Sequence, residues 1–348
     1  MNQRERIIPY RTMKFHPCLL IVAAMFAAFI LGSNLHAQPL VNIETVLVGD
    51  PGNAADTRES PIGGINHFGA VAEMFSIGKY EVSINQYSTF LNSVASVTSD
   101  SYIVNLWNAN MTSDLNIAGI SRSGAGTLGS PYSYSVIGSG NRPITYVGWF
   151  DAARFANWMN NGAINGASTE TGAYTLNGAT SGVGFTKNAG ATWWIPSEDE
   201  WYKAAYYKGG GTDAGYWDYP TQSDTTPTAQ ANPPGAQNSA NFNGVRPVGN
   251  LLTEVGAFST SPSAYGTFDQ AGNVWEWNDA VSGSERGSRG GSYFGDFTEL
   301  QSGFRGSDPP TGEYNNEGFR VASVPEPSTY ALLFMTGAGA LWWARRRR

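Results

Sequence analysis

The chain has almost no cysteine and almost no histidine, and both shortages limit its chemistry. Cys18 is the only cysteine in 348 residues, and there are three histidines. Between residues 38 and 323, the body of the chain, there is no cysteine, and His67 is the only histidine. A thiol redox pair is therefore excluded from the body. A zinc, copper or non-haem iron site there would lack the nitrogen and sulfur ligands that it needs.

Positive charge is also scarce. The full chain has 21 Lys and Arg against 28 Asp and Glu, but four basic residues and one acidic residue lie in each terminal segment, which leaves the body 13 against 26. Such a surface repels phosphate backbones and argues against nucleic-acid binding. It suits a hard, oxygen-ligated cation instead, and calcium fits best.

The N-terminal segment has the layout of an export signal. Basic residues from Arg4 to Lys14 precede an apolar run from Cys18 to Gly32, and small and polar residues follow as far as Ala37. This order predicts a signal peptide over residues 1–37. The alternative is a buried helix or a membrane anchor, but the run is shorter than the roughly 20 residues that a span needs.

The C-terminal segment, residues 324–348, has three parts. The box Pro325-Glu326-Pro327 precedes an apolar stretch from Tyr330 to Ala344, and four arginines end the chain. The arginines favour a membrane segment whose C-terminal end stays in the cytoplasm. The segment resembles the PEP-CTERM sorting signal of Gram-negative bacteria. The resemblance implies an exosortase-type processing enzyme as partner, membrane contact until processing, and a final place in the envelope, at the surface or in an extracellular biofilm matrix.

Apolar spacing and capping residues predict three helices in the body. The first starts at Ile84 with Ser83 as its cap, and the second covers residues 150–160. The third starts from a capping box that opens at Ser197 and should stop at Gly209.

Short strands are expected at 75–80, 193–195, 274–278, 289–293 and 318–322. The polar stretches 160–188 and 209–243 are predicted to be ordered surface loops, because aromatic residues recur in or beside them. Together these features predict one α+β domain over residues 38–323 with few regular elements.

Six segments in order carry a resemblance to a known family. They are IGKYEVSINQYSTFL, RPITYVGWFDAARFANWMN, WWIPSEDEWYKAAYY, YGTFDQAGNVWEW, RGGSY and EGFRVAS. They resemble successive signatures of the sulfatase-modifying-factor family, which includes the formylglycine-generating enzymes. The resemblance implies a C-type-lectin-like fold with little secondary structure, often stiffened by calcium.

Other residue types stand where the family's oxidation chemistry would lie. In the oxidases of this family, two cysteines that follow the GGS turn bind copper(I) and oxidise a substrate cysteine. Those positions fall at about Gly295 and Leu300, neither of which can bind copper, so no copper is expected. Ser292 matches the serine of the turn. Nothing is present to activate its hydroxyl, and a role in satisfying the turn's backbone is favoured.

The resemblance also implies metal ligands. One calcium ion is held in the family by two side chains and two carbonyls, which fall here on Asp269, Gly272, Val274 and Glu276. The alternative is that Asp269 orders a turn and Glu276 pairs with Arg289 or Arg320. A second calcium site would begin with the Asn241 side chain and the Phe242 carbonyl, and its other ligands do not align.

Aromatic residues divide into core and surface candidates. The tryptophans of the motif segments are assigned to the core rather than to sugar platforms: Trp149, Trp158, Trp193, Trp201, Trp275 and Trp277. The stretch that lines the family's substrate groove supplies the ligand-binding candidates: Ser292, Tyr293, Phe294, Asp296, Phe297 and Arg305.

These observations favour an exported, non-catalytic protein that uses the scaffold to bind an extracellular polysaccharide or protein, or to build matrix. The alternative is an oxidoreductase of the formylglycine-generating type that acts on a protein side chain without the cysteine pair. A hydrolase would need paired acids, and no such motif is evident, since Asp199 and Glu200 fit charges at a helix start.

Overall fold

The computed structural model describes residues 37–59, 66–95, 105–117, 119–127, 129–245 and 249–325. The residues described from Pro39 onward belong to one compact unit. Nearly all of the predicted signal peptide lies outside these ranges, as do Glu326, Pro327 and the segment after them. Within the described ranges, no helix is both long and apolar enough to cross a membrane.

Four helices occur in the described residues: α1 (Ile84–Ala95), α2 (Asn110–Ser113), α3 (Trp149–Asn160) and α4 (Glu198–Tyr206). The cap predicted for α1 is present, because the Ser83 hydroxyl accepts from the Gln86 amide at 3.3 Å and the Gln86 side chain accepts from the Ser83 amide at 2.9 Å. The capping box of α4 is present too, with Ser197 and Glu200 bonded reciprocally. The short α2 was not predicted.

The prediction that α4 runs to Gly209 is wrong. The helix ends at Tyr206, and Tyr207 has extended backbone, with φ −68° and ψ 137°. Tyr207 instead packs edge-on against Tyr216, with ring centroids 4.9 Å apart. The backbone of Tyr207 also pairs with that of Tyr216 in an antiparallel bridge, so the chain leaves the helical conformation before it reaches the glycines.

Twelve short strands occur in the described residues: β1 (Thr45–Val48), β2 (Phe75–Gly78), β3 (Ile120–Ser123), β4 (Ser133–Val136), β5 (Trp193–Trp194), β6 (Thr228–Ala229), β7 (Ser239–Ala240), β8 (Trp275–Ser282), β9 (Glu285–Arg289), β10 (Gly306–Asp308), β11 (Glu317–Gly318) and β12 (Ala322–Ser323). One four-stranded sheet has the order β1-β2-β12-β5, and another has the order β10-β9-β8-β11. Within the second sheet β11 runs parallel to β8, and the other pairs are antiparallel. Strands β3 with β4, and β6 with β7, form two-stranded sheets.

Two strand predictions are corrected. The strand expected at 289–293 lies earlier, as β9, because Gly290 and Gly291 have φ values of +101° and +71° and turn the chain away after Arg289. The strand expected at 318–322 is split into β11 and β12, which join different sheets. Strands β1, β3, β4, β6, β7 and β10 were not predicted.

Aromatic side chains of α1 and α3 form the centre of the core. Tyr87 stacks on Phe155 at 6.2 Å, and Phe155 contacts both Trp158 and Phe319. The predicted core positions Ile84, Tyr87, Leu91 and Val94 are all buried. Trp149, Trp158, Trp201 and Trp277 are fully buried, whereas Trp193 and Trp275 are partly exposed.

Side-chain amides order the long polar loop after α3. Asn157 donates to the Thr169 carbonyl and accepts from the Tyr174 amide, both at 2.7 Å. Asn161 donates to the carbonyls of Ser168 and Thr171. The backbone groups of this loop thus have partners without a helix or sheet.

Candidate functional site

The loop that follows β9 begins at a turn that requires glycine. A Cβ at Gly290 would approach the Gln270 carbonyl at 3.1 Å, and one at Gly291 would lie 2.8 Å from Leu300. The Arg289 guanidinium holds the loop at its start, since it forms an ion pair with Glu198 at 2.6 Å and donates hydrogen bonds to the carbonyls of Ser302 and Phe304. The loop is therefore held on a rigid base.

Gly295 and Leu300, to which the resemblance assigned the family's cysteine positions, are both closed off by neighbouring side chains. Leu300 is fully buried and packs in a cluster with Tyr219 and Phe242. A Cβ at Gly295 would overlap a carboxylate oxygen of Glu299, so the Glu299 side chain occupies the space beside Gly295. Burial, and then the charge of Asp296, raises the pKa of Glu299.

The six predicted ligand-binding residues divide into buried and exposed groups. Ser292 and Tyr293 are buried, and the Ser292 hydroxyl accepts from the Phe294 amide at 3.4 Å, which fits the role in the turn. Phe294 is 72% exposed and Phe297 is 43% exposed. Only the exposed residues can contact a ligand without rearrangement of the loop.

The two charged candidates are also placed at this loop. Asp296 is exposed and accepts from the amide and hydroxyl of Thr298, bonds that lower its pKa. Arg305 is bound to Glu198 at 2.6 Å, with its side chain 33% exposed. We call Phe294, Asp296 and Phe297 the loop surface.

Glu276, one of the four predicted calcium ligands, is fully buried against an arginine. Its two oxygens accept from Arg320 at 2.5 and 2.6 Å, and Trp201 donates a third bond at 2.7 Å. The pairing with Arg320 is the alternative that the sequence left open. Glu276 could bind calcium only next to the positive charge of Arg320, a poor fit for a cation.

Asp269, another of the predicted calcium ligands, interacts electrostatically with this ion pair. Asp269 has a positive φ of 62° and accepts from the Gly256 amide, and burial raises its pKa to about 6. Within the described ranges, no group of three or more His, Cys, Asp or Glu side chains is arranged to hold a metal ion. The calcium site therefore stays a prediction.

Glu81 belongs to the same buried network, and the sequence did not single it out. One of its oxygens accepts from Asn273 at 3.0 Å, and the other has no hydrogen bond of normal geometry with a described residue, although the Glu81 side chain interacts with that of Asp269. Burial, followed by the charges of Asp269 and Glu276, raises its pKa well above the ordinary value. Its position within the KYEVS motif was the only available signal.

The two residues predicted to begin a second calcium site are buried as well. Asn241 donates to the Leu251 carbonyl at 3.0 Å and to Asn273 at 3.3 Å, and the Phe242 side chain packs with Leu300. The side-chain carbonyl oxygen of Asn241 has no hydrogen-bond partner in the described ranges. This second site also stays a prediction.

Comparison with known proteins identifies the scaffold. A family model for the sulfatase-modifying factor enzyme 1-like domain matches residues 36–324. The chain belongs to this family. The expected formylglycine-generating-enzyme-like fold is thereby confirmed, and the loop-rich mixture of helices and strands agrees with it.

A second family model, for the PEP-CTERM protein-sorting motif, matches residues 323–348. This match confirms the sorting signal predicted at Pro325, Glu326 and Pro327. The motif implies export to the envelope or surface of a Gram-negative bacterium and processing by an exosortase-type system.

Three solved structures are similar to the chain at low sequence identity. Variable protein 1 of Treponema denticola is 18% identical, with a TM-score of 0.50 over 82% of this chain and 96% of that one. A structure of CarF is 20% identical, with a TM-score of 0.45 over 82% of this chain and all of that one. PvdO of Pseudomonas aeruginosa is 17% identical, with a TM-score of 0.41 over 82% and 93% of the two chains. No curated protein matches the chain.

Proposed function

We propose that this exported protein is a non-catalytic binding module that uses the formylglycine-generating-enzyme-like scaffold to present the loop surface to a partner outside the cell. The observation that carries the proposal is the filling of the thiol positions. Glu299 covers Gly295, and Leu300 is buried in a cluster of apolar side chains. Neither group can accept electrons or form a mixed disulfide.

The exposed aromatic residues of the loop support the binding role. Aromatic side chains contribute a large share of binding energy at protein interfaces, and Phe294 is 72% exposed next to a fixed turn. The rigid base formed by Arg289 and Glu198 means that little ordering is needed when a partner binds. We infer that the partner is an envelope polysaccharide or a secreted protein of the matrix.

The experiment is a binding array of envelope polysaccharides and secreted proteins, probed with the full chain purified in detergent. Binding to at least one component is expected. The double variant Phe294→Ala/Phe297→Ala should weaken it at least tenfold, because a central aromatic anchor contributes about 2 kcal/mol or more. Leu115→Ala is the matched control, since Leu115 is an exposed apolar residue outside the loop surface.

Two results would contradict this function. One is the failure of the wild-type chain to bind any component of the array, which would leave a structural matrix role. The other is binding that the double variant keeps unchanged, which would place the contact surface elsewhere on the protein.

A calcium ion on Asp269, Gly272, Val274 and Glu276 is a separate proposal. Its support is the match of these positions to the family's ligands and the negative charge of the body. The pairing of Glu276 with Arg320 weighs against it. Calcium binding would raise the thermal midpoint of the wild-type chain but not that of Asp269→Asn. If calcium leaves the thermal midpoint of the wild-type chain unchanged, Asp269 and Glu276 belong to the buried ion network alone.

A further inference from the structure

A polar cleft lies at the start of α3, away from the loop surface. Its volume is about 310 Å³, near the lower limit for ligand-binding pockets. Four parts of the chain line it: residues 105–109, Gly148 with the first turns of α3, Thr180, and residues 310–313. None of the six predicted ligand-binding residues lines it.

Two carboxyl groups in this cleft keep an oxygen without a protein partner. Asp151 is only 6% exposed, and one of its oxygens accepts from the Gly148 amide at 2.8 Å. One oxygen of Glu313 accepts from the Asn108 side chain at 2.6 Å. The second oxygen of each group receives no hydrogen bond from any residue in the described ranges, although both residues line the cleft.

The remaining polar groups of the cleft balance this negative charge. Arg154 also lines the cleft, where its guanidinium binds Glu170 at 2.7 Å and the Ala179 carbonyl at 2.8 Å. The N-terminus of α3 adds a partial positive charge beside Asp151. Burial and then the charge of Glu313 raise the pKa of Asp151 to about 8, so that this carboxyl group keeps its proton at neutral pH.

The cleft therefore offers donors and acceptors but no strong excess of either charge. An anion would meet the carboxyl groups, and a cation would meet Arg154 and the helix N-terminus. An apolar molecule would leave the free oxygens of Asp151 and Glu313 unpaired, which is costly in a confined space. A neutral molecule with several hydroxyl groups avoids the unfavourable charge contacts and also supplies hydrogen bonds to the free oxygens, because each hydroxyl can donate and accept.

The aromatic residues of the cleft fit the same class of ligand. Phe150 and Trp107 are in the lining; Phe150 is only 4% exposed, and the Arg122 guanidinium covers one face of the partly exposed Trp107 ring at 4.0 Å. The exposed part of the Trp107 ring can contact the C–H groups of a sugar. We propose that this cleft binds a single neutral sugar unit, with Asp151 and Glu313 hydrogen-bonded to its hydroxyl groups and the Trp107 side chain against its ring.

The test measures binding of four neutral sugars, the methyl α-glycosides of glucose, galactose, mannose and N-acetylglucosamine, to the full chain by ligand-observed NMR. At least one should bind with a Kd on the order of 1 mM, the range for a ligand with so few non-hydrogen atoms. Glu313→Gln should weaken binding about tenfold, because it replaces a charged acceptor. Thr311→Trp, at an exposed residue of the lining, should block the cleft and abolish binding without disturbing the core.

A control variant shows whether loss of a carboxylate elsewhere on the protein affects glycoside binding. Asp213→Asn removes an exposed carboxylate outside the cleft, so it should leave glycoside binding unchanged. The proposal is overturned if none of the four glycosides binds the wild-type chain, if binding survives Thr311→Trp, or if methylammonium or phosphate binds the cleft more tightly than every glycoside. It does not depend on the loop surface, because glycoside binding that is lost in Phe294→Ala/Phe297→Ala but kept in Thr311→Trp would place the sugar on the loop surface instead and overturn the proposal for the cleft.

Discussion

The clearest effect of pH on stability is expected at Glu317, in β11. This side chain is 1% exposed, and neither of its oxygens has a hydrogen bond of normal geometry with a described residue. Burial raises its pKa well above the ordinary 4.5, the charge of Asp308 adds to the shift, and the nearby Ser288 hydroxyl opposes it. The folded state therefore holds this proton at pH values where the unfolded chain has released it.

The sign of the effect follows from proton binding. Above pH 4.5 the unfolded state binds fewer protons at Glu317 than the folded state, so the free energy of unfolding falls as the pH rises. For one proton, the free energy of unfolding falls by about 1.4 kcal/mol for each pH unit until the pH reaches the raised pKa of Glu317. Glu317→Gln removes this dependence, because glutamine is neutral at every pH and has nearly the same shape.

The assay is urea unfolding of the wild-type chain and Glu317→Gln at pH 5, 6 and 7. The free energy of unfolding of the variant, relative to that of the wild type, should rise with pH, by at most about 1.4 kcal/mol for each pH unit below the raised pKa. Glu73→Gln, at an exposed position, is the matched control and should show a constant difference. A difference between Glu317→Gln and wild type that stays constant from pH 5 to 7 would refute the reasoning.

Two further changes test the framework around the loop surface. Glu276→Gln should lower the free energy of unfolding by about 3–5 kcal/mol, because it leaves Arg320 buried without its counter-ion; in urea unfolding, a loss below 1 kcal/mol would contradict the assigned ion pair. Ser197→Ala should lower the free energy of unfolding by about 1 kcal/mol, because the α4 cap is lost, whereas Ser284→Ala at an exposed position should leave it almost unchanged. Equal decreases for the two variants in thermal denaturation would show that the cap does not stabilise the protein.

Local signals explain which parts of the fold could be predicted. The starts of α1 and α4 depend on residues three positions apart, Ser83 with Gln86 and Ser197 with Glu200, and each such pair is visible in the sequence. The end of α4 depends on Tyr216, ten residues beyond the helix, and could not be deduced from local pattern. Short strands such as β6 and β7 are two residues long, too short to show periodicity.

The site shows the same division between local and distant contacts. The lack of thiols in the body follows from the sequence directly, whereas the turn at Gly290 and Gly291 lies where local pattern predicted a strand. The pairing of Glu276 with Arg320 was one of two alternatives, and only tertiary structure brings the two residues together. The cleft beside Asp151 and Glu313 joins segments far apart in sequence, so no spacing could indicate it.

The most direct test of the central claim, that the scaffold is not an enzyme, is oxygen consumption by the full chain with copper(I) and a cysteine-containing peptide. The account predicts the same rate as copper and peptide without protein, since the resemblance places the family's copper-binding thiols at about Gly295 and Leu300, and neither residue can bind copper. Oxygen uptake above that blank, matched by aldehyde formation on the peptide, would contradict it and establish an oxidoreductase that works without the cysteine pair.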